Sequence, residues 1–140
     1  MDFQKEFNRI MVSQKELALA TSVDNIPNVR IINFYYNISR KGVVYFSTFS
    51  DNSKVEEFAK NNVVAFTTIP HTGNEHVRVN NTTIQKSHLT IFDLKDEFIK
   101  KIPDYEITIN EVGEHLSLYE IHFSKATVTL DYTQSDIITL

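Results

Sequence analysis

The feature that most constrains the fold is a series of short runs rich in β-branched and aromatic residues, separated by turns. Residues 29–36 and 43–49 are two such runs, and residues 37–42 between them have the composition of a turn. β-branched and aromatic side chains favour strands, and so short a link joins antiparallel neighbours. We therefore expect an antiparallel meander in this part of the chain.

The same patterns predict the remaining elements. Strands are expected at residues 17–23, 29–36, 43–49, 63–69, 75–89, 116–123 and 126–132. Apolar spacing of three and four predicts helices at residues 2–14, from Asp51 or Asn52 to about residue 61, and at 93–102. About seven strands with mostly short links favour a mainly β fold, an antiparallel barrel with flanking helices. A doubly wound sheet would need a helix after nearly every strand.

Length and charge narrow the class of protein. A chain of 140 residues with three glycines and three prolines is expected to form one domain, residues 1–140, without a flexible hinge. The net charge of −4 argues against a nucleic-acid partner. No apolar run reaches the roughly 20 residues that span a bilayer, so no membrane partner is expected. Residues 1–10 form an amphipathic pattern without an apolar signal core, which predicts a cytoplasmic protein.

Three stretches carry candidate functional residues. Arg30 lies within an otherwise apolar strand, residues 43–49 lead into a helix that opens with Ser53 and Lys54, and Arg78 lies between two valines. A helix N-terminus offers free N–H groups and a partial positive charge, and an arginine adds a planar fork for phosphate oxygens. The first two stretches together predict a phosphate site.

Each of these residues also has a simpler interpretation. Arg30 taken alone is more often solvated or ion-paired than a ligand contact, and Lys54 is equally consistent with a solvated side chain. The polar cluster at residues 50–53 serves first as an N-cap, and Arg78 is expected to point outward from an alternating strand.

The order of these motifs resembles the pyridoxamine 5′-phosphate oxidase-like family of flavin-binding split barrels. A strand with an arginine, a strand ending in aromatic–Ser–Thr, a helix opening with Ser-Lys and the run NNVVAFTT follow one another within residues 15–88. The resemblance implies an antiparallel Greek-key split barrel that binds FMN and forms a homodimer with the cofactor at the subunit interface. Tyr35 and Tyr36 must point to opposite faces of their strand, so one of them is expected to face solvent or a second subunit.

The resemblance also implies residue roles. Arg30 and Lys54 would contact the FMN phosphate, Ser53 stands where the oxidase has an arginine, and His76 stands where a glutamine approaches the flavin from the second subunit. Residues 46–48 would run along the isoalloxazine ring and the ribityl chain. The FMN-binding residues predicted in this way are Arg30, Ile31, Phe46, Ser47, Thr48, Ser53, Lys54 and His76.

Departures from the family pattern narrow the predicted function. Phe34 or Asn33 occupies the position of the oxidase's second lysine, and Asn81 replaces a glycine. No segment resembles the one that completes the oxidase's vitamin-B6 phosphate site. These differences argue against pyridoxamine phosphate oxidation and predict weaker retention of FMN. The resulting hypothesis is an FMN-dependent oxidoreductase for an unknown small molecule, with unknown catalytic residues.

Two other functions stay open. The chain could be a non-catalytic flavin- or haem-binding module with His76 or His71 as the axial ligand, or a homologue that binds nothing and acts through a partner. No metal site is predicted, because the histidines lack helical i, i+4 spacing and there is no cysteine. Glu56 and Glu57 are expected on a solvated helix face, with no role as an acid–base pair.

Overall fold

Nine strands and four α-helices make up the computed structural model, which describes residues 1–140. In chain order they are α1 (Phe3–Ser13), β1 (Glu16–Val23), β2 (Ile26–Asn33), β3 (Tyr35–Tyr36), β4 (Val43–Phe49), α2 (Ser53–Lys60), β5 (Val63–Thr68), β6 (His76–Lys86), α3 (Lys95–Lys101), α4 (Tyr105–Val112), β7 (Leu116–His122), β8 (Lys125–Asp131) and β9 (Gln134–Thr139).

The predicted strands and helices are all present, with three differences. The expected strand at 29–36 is divided at Phe34 into β2 and β3, and the prediction missed both α4 and β9. The sequence of α4, YEITINEV, contains four β-branched residues, which weaken a helical pattern. In β9 only Ile138 is buried, so no alternation marks the strand.

The strands form one antiparallel sheet in the order β2-β1-β5-β6-β7-β4-β3, and β8 pairs with β6 and with β9. The sheet is not closed. Residues 26–36 connect its two edges, because β2 pairs with β1 and β3 pairs with β4. Next to this connection, the end of β2 and the end of β4 are not paired with each other by backbone hydrogen bonds. The split between them is where the candidate site lies.

Hydrophobic residues pack in two places. Inside the curved sheet lies the main core, which α1 covers with Phe7, Ile10 and Met11. Outside it, α3 and α4 pack on the outer face of β4 and β7. That second core consists of Val43, Tyr45, Ile91, Phe98, Tyr105, Ile109 and Leu118. Each fully buried large side chain contributes about 1.5–3 kcal/mol.

The two adjacent tyrosines point in opposite directions, as predicted. Tyr36 belongs to the main core, and Tyr35 lies on the outside with its ring 5.7 Å from that of Phe98. Helix α3 therefore covers Tyr35, where solvent or a second subunit was expected. None of the helices has both the length and the apolar character needed to cross a membrane.

Candidate functional site

The split between β2 and β4 contains a cleft of about 330 Å³. Four strands and helices supply its walls: β2, β4, α2 and α4. Its lining residues are Ile31, Ile32, Asn33, Ser47, Thr48, Phe49, Asn52, Lys54, Ile102, Asp104, Tyr105, Thr108 and Leu116. The cleft thus brings together four residues predicted from the sequence to bind FMN, namely Ile31, Ser47, Thr48 and Lys54.

Lys54 supplies the positive charge of the cleft. Its position is set by the start of α2, where the Asn52 side-chain oxygen accepts the Lys54 backbone N–H at 2.9 Å. The Lys54 amine makes no ion pair with any carboxylate of the chain. Burial lowers the pKa of Lys54, and the nearby positive charge of Arg30 lowers it further. An anion bound in the cleft would relieve both effects.

Hydroxyl groups from β4 line the opposite wall. Thr48 is 6% exposed, and its hydroxyl has no hydrogen-bond partner within the chain. Ser47 differs, because its hydroxyl bonds the Tyr105 hydroxyl from α4. Thr48 is therefore the hydroxyl still available to a ligand, while Ser47 fixes α4 beside the cleft.

Arg30 lies next to the cleft, but its charge is already paired. One guanidinium nitrogen is 2.5 Å from Glu57 Oε2, and another donates to the Thr21 hydroxyl at 2.8 Å. Asn28 also donates to Glu57. The sequence left Arg30 open as an ion-paired side chain or as a ligand contact, and the structure shows the ion pair. Phosphate binding by Arg30 stays a prediction.

The expectation that Glu57 lies on a solvated helix face is wrong. Its side chain is only 22% exposed, because α2 packs this face against β1 and β2. The hydrogen bond from Thr21 lowers the pKa of Glu57 most, and Asn28 and Arg30 add to it against the effect of burial. A sequence signal existed in retrospect: Glu57 follows Lys54 by three residues, which places both on one side of a helix.

Three other predicted residues do not line the cleft. Phe46 is fully buried and stacks on Tyr119 at 5.8 Å, so only its backbone could reach a ligand. Ser53 is exposed on the first turn of α2. His76 begins β6, which β1 and β5 separate from β2, and its Nδ1 lies 2.6 Å from the Asn74 carbonyl oxygen. The roles given to these residues stay predictions.

The sequence analysis also missed a second polar network, on β7. The buried Glu120 carboxylate accepts from the Ser87 hydroxyl at 2.6 Å and from Arg40 at 3.2 Å, and it lies 2.7 Å from His122 Nε2. Burial alone would raise the pKa of Glu120, but these three partners together hold it below its ordinary value. The pattern Glu-x-His within a strand is the signal that was available, since it places both side chains on one face.

Comparison with known proteins gives one family match. The model of the family described as pyridoxamine 5′-phosphate oxidase-like matches residues 10–135. No curated protein is significantly similar to the chain.

Solved structures share the fold at low sequence identity. A protein from Clostridium acetobutylicum, described as related to general stress protein 26 and of the pyridoxinephosphate oxidase family, is 14% identical with a TM-score of 0.73, over 99% of this chain and 94% of that one. A FAD-binding protein from Mesorhizobium loti is 14% identical with a TM-score of 0.64, over 87% and 90% of the two chains. A heme binding protein from Mycobacterium smegmatis is 10% identical with a TM-score of 0.78, over 99% of this chain, which spans only 58% of that protein. The predicted fold class, a mainly antiparallel split barrel with flanking helices, is confirmed.

Proposed function

The chain belongs to the pyridoxamine 5′-phosphate oxidase-like family, and we propose that it binds FMN in the cleft between β2 and β4 and acts as a flavin-dependent oxidoreductase on a small molecule. The observation that carries the proposal is the Lys54 amine, a positive charge in the lining of the cleft that makes no ion pair. Two solved structures with the same fold, named as a FAD-binding protein and a heme binding protein, support a cofactor of this kind.

The residues of the cleft fit a flavin phosphate. Lys54 offers a cation, Thr48 an unused hydroxyl, and the start of α2 a set of N–H groups with a partial positive charge. Arg30 would be a second cation once Glu57 releases it. Ile31 and Phe49, which are 63% and 43% exposed, offer apolar surface to the flavin ring.

The bound flavin would supply the electron transfer, and the protein would hold and orient it. Lys54 and Thr48 would fix the phosphate end. Tyr105, held by Ser47, would limit the access of water from the α4 side. We assign no catalytic residue, because the substrate on which Asp104 or Tyr105 of the lining would act is not defined.

A homodimer would complete the site. A volume of about 330 Å³ is near the lower end for small-molecule sites, which run from about 300 to 1,000 Å³. The outer face of the adjoining sheet is apolar: exposed Ile31 and Val29 lie opposite Ala18 and Ala20 of β1. A second copy placed on this face would cover the apolar surface and close the cleft. Light scattering after size-exclusion chromatography should give a dimer, and Ile31→Lys should give a monomer; a wild-type monomer would overturn this part of the proposal.

An FMN titration followed by absorbance tests the cofactor. Lys54→Gln should weaken FMN binding at least tenfold, because a charge-assisted contact is worth about 1.5–3 kcal/mol. Lys60→Gln is the matched control, since Lys60 lies in the last turn of the same helix, outside the cleft. A colourless protein that takes up no added FMN would refute flavin binding. Bleaching of the flavin band by a nicotinamide donor would support the oxidoreductase activity.

Haem binding by a non-catalytic module is the second candidate. One observation favours it: Nδ1 of His76 is held by the Asn74 carbonyl, and this kind of hydrogen bond orients histidines that ligate metals through Nε2. Haem titration should then give a Soret band that His76→Ala abolishes and His71→Ala preserves. The absence of any such band would exclude this candidate.

A further inference from the structure

A cavity of about 490 Å³ lies away from the cleft, beside β6. On this side β6 pairs first with β8, through residues 76–78, and then with β7, through residues 83–86. The register is the same in both stretches, so residues 79–82 would face residues 123–126 if the ladder continued. It does not continue. We call this interruption the ladder gap.

The ladder gap is held open by contacts on its far side. Phe123 donates its backbone N–H to the Gly42 carbonyl at 2.9 Å, and the Ser124 carbonyl accepts from Leu140 at 2.9 Å. Both groups therefore point away from β6. A Cβ on Gly42 would lie 2.2 Å from the Phe123 carbonyl oxygen, so only glycine allows this approach. On the other side, Asn81 has a φ of 51°, which bends β6 at the same level.

The lining of the ladder gap is positively charged. It contains Lys41, Lys125 and His122, and no aspartate or glutamate. Neither lysine makes an ion pair with the chain. Uncompensated cations on a protein whose net charge is −4 mark a local site for an anion. The remaining polar lining residues are Asn80, Asn81, Thr82, Thr83 and Ser124, of which Thr82 already donates its hydroxyl to the His122 carbonyl oxygen.

His122 places an imidazole of fixed orientation beside the site. Its Nε2 lies 2.7 Å from the buried Glu120 carboxylate, which Ser87 and Arg40 hold in place. The other ring nitrogen, Nδ1, has no hydrogen-bond partner within the chain. The Glu120 carboxylate beside one nitrogen fixes the orientation of the ring at the edge of the ladder gap.

We propose that the ladder gap is a second ligand site, which binds a small phosphate-bearing molecule through Lys41 and Lys125. Two lysines match the two charges of a phosphate monoester, and the cavity volume lies within the range of small-molecule sites. The site is independent of the proposed flavin site, because the two linings share no residue.

Amide NMR spectra recorded during a titration with inorganic phosphate, at constant ionic strength, test the proposal. Saturable shifts are expected at Gly42, Asn81, Thr83 and Ser124, and no such shifts with added chloride. The double variant Lys41→Gln/Lys125→Gln should bind phosphate at least tenfold more weakly. The control Lys60→Gln/Lys86→Gln removes equal charge outside the ladder gap and should bind as the wild type does.

Three outcomes would overturn the proposal. The first is shifts that do not saturate or that chloride reproduces, and the second is an unchanged affinity in the Lys41/Lys125 variant. The third is tighter binding of succinate, a dicarboxylate of the same charge, which would exclude phosphate as the preferred group. Lys54→Gln separates the two sites: it should weaken FMN binding and leave the shifts at the ladder gap intact.

Discussion

Two of the arginine–carboxylate networks in the molecule, those around Glu57 and Glu120, differ in what each leaves free. Around Glu57, the side chains of Thr21, Asn28 and Arg30 all direct their hydrogen bonds to the carboxylate or to one another. Around Glu120, the network ends on His122, whose second ring nitrogen borders a cavity. The charge of Arg30, in strand β2, is thus taken up by its counter-ion, whereas the network of Arg40, which lies in the turn before β4, leaves one histidine nitrogen without a partner.

Removal of each carboxylate is the strongest test of this comparison. Glu120→Ala should lower the free energy of unfolding by about 3 kcal/mol, because it leaves Arg40 and Ser87 without their buried partner. Glu57→Ala should cost about 1.5 kcal/mol, since the Glu57 side chain is 22% exposed against 5% for Glu120. Urea denaturation measures both. Glu56→Ala, on the exposed side of α2, is the control, and a larger loss for Glu57 than for Glu120 would contradict the comparison.

A milder change at Glu57 tests whether its ion pair with Arg30 limits FMN binding in the cleft. Glu57→Gln keeps the shape of the side chain and removes the charge that holds Arg30. Arg30 would then be free to join Lys54 at the phosphate, and FMN should bind about tenfold more tightly, or about 1.4 kcal/mol. Fluorescence quenching of FMN gives the affinity, with Glu56→Gln as the control. Unchanged or weaker binding would show that Arg30 does not act on the phosphate.

A fall in pH should weaken the contribution of both networks to the stability of the fold. The folded state lowers the pKa of Glu57 and of Glu120 from the ordinary value of 4.5, so it binds fewer protons than the unfolded state. Their contribution to stability is complete above about pH 4.5 and is lost as the pH falls through the lowered values. Urea midpoints measured from about pH 6 to about pH 3 should therefore decrease, and less steeply in Glu120→Gln. Equal slopes in the variant and the wild type would exclude Glu120 as a contributor.

The smallest expected effect is that of replacing Thr21, the hydroxyl-bearing residue in the network around Glu57. Thr21 donates to Glu57 and accepts from Arg30, so Thr21→Val removes two contacts of one hydroxyl. We expect a loss of about 1 kcal/mol in the free energy of unfolding. Thr139→Val, at an exposed position, should change it by less than about 0.5 kcal/mol. A loss near that of Glu57→Ala would mean that Thr21, and not the arginine, holds the carboxylate.

The elements that the sequence predicts are those with a local signal. The apolar runs of β4 and β5 and the Asn52 cap of α2 all appear at or within a residue or two of the expected places. The break at Phe34 has no local cause: Phe34 is fully buried, and its N–H donates to the Lys15 carbonyl. The hydrogen bond between Phe34 and Lys15 depends on how β1 and β2 lie beside each other in space.

The residues of the candidate site likewise fall into those that a local sequence signal predicts and those that it does not. Lys54 and Thr48 meet in the cleft because a strand and the helix that follows it are neighbours in sequence as well as in space. The ion pair of Arg30 with Glu57 depends on how α2 packs against β1 and β2, 27 residues along the chain. No periodicity encodes that packing. The ladder gap likewise arises from Gly42 and Phe123, which are brought together only by the sheet.

The order of strands in the sheet also determines how long each strand stays without its partner while the chain is being synthesised. β4 lies in the first half of the chain, but its long partner is β7, in the second half: Val43 faces His122 and Phe49 faces Leu116. At the roughly 5–20 residues per second of a ribosome, β4 waits several seconds for that partner. During this interval its apolar side chains are exposed to other nascent chains. The β1–β2 hairpin, whose partners are adjacent in the chain, forms without any such delay.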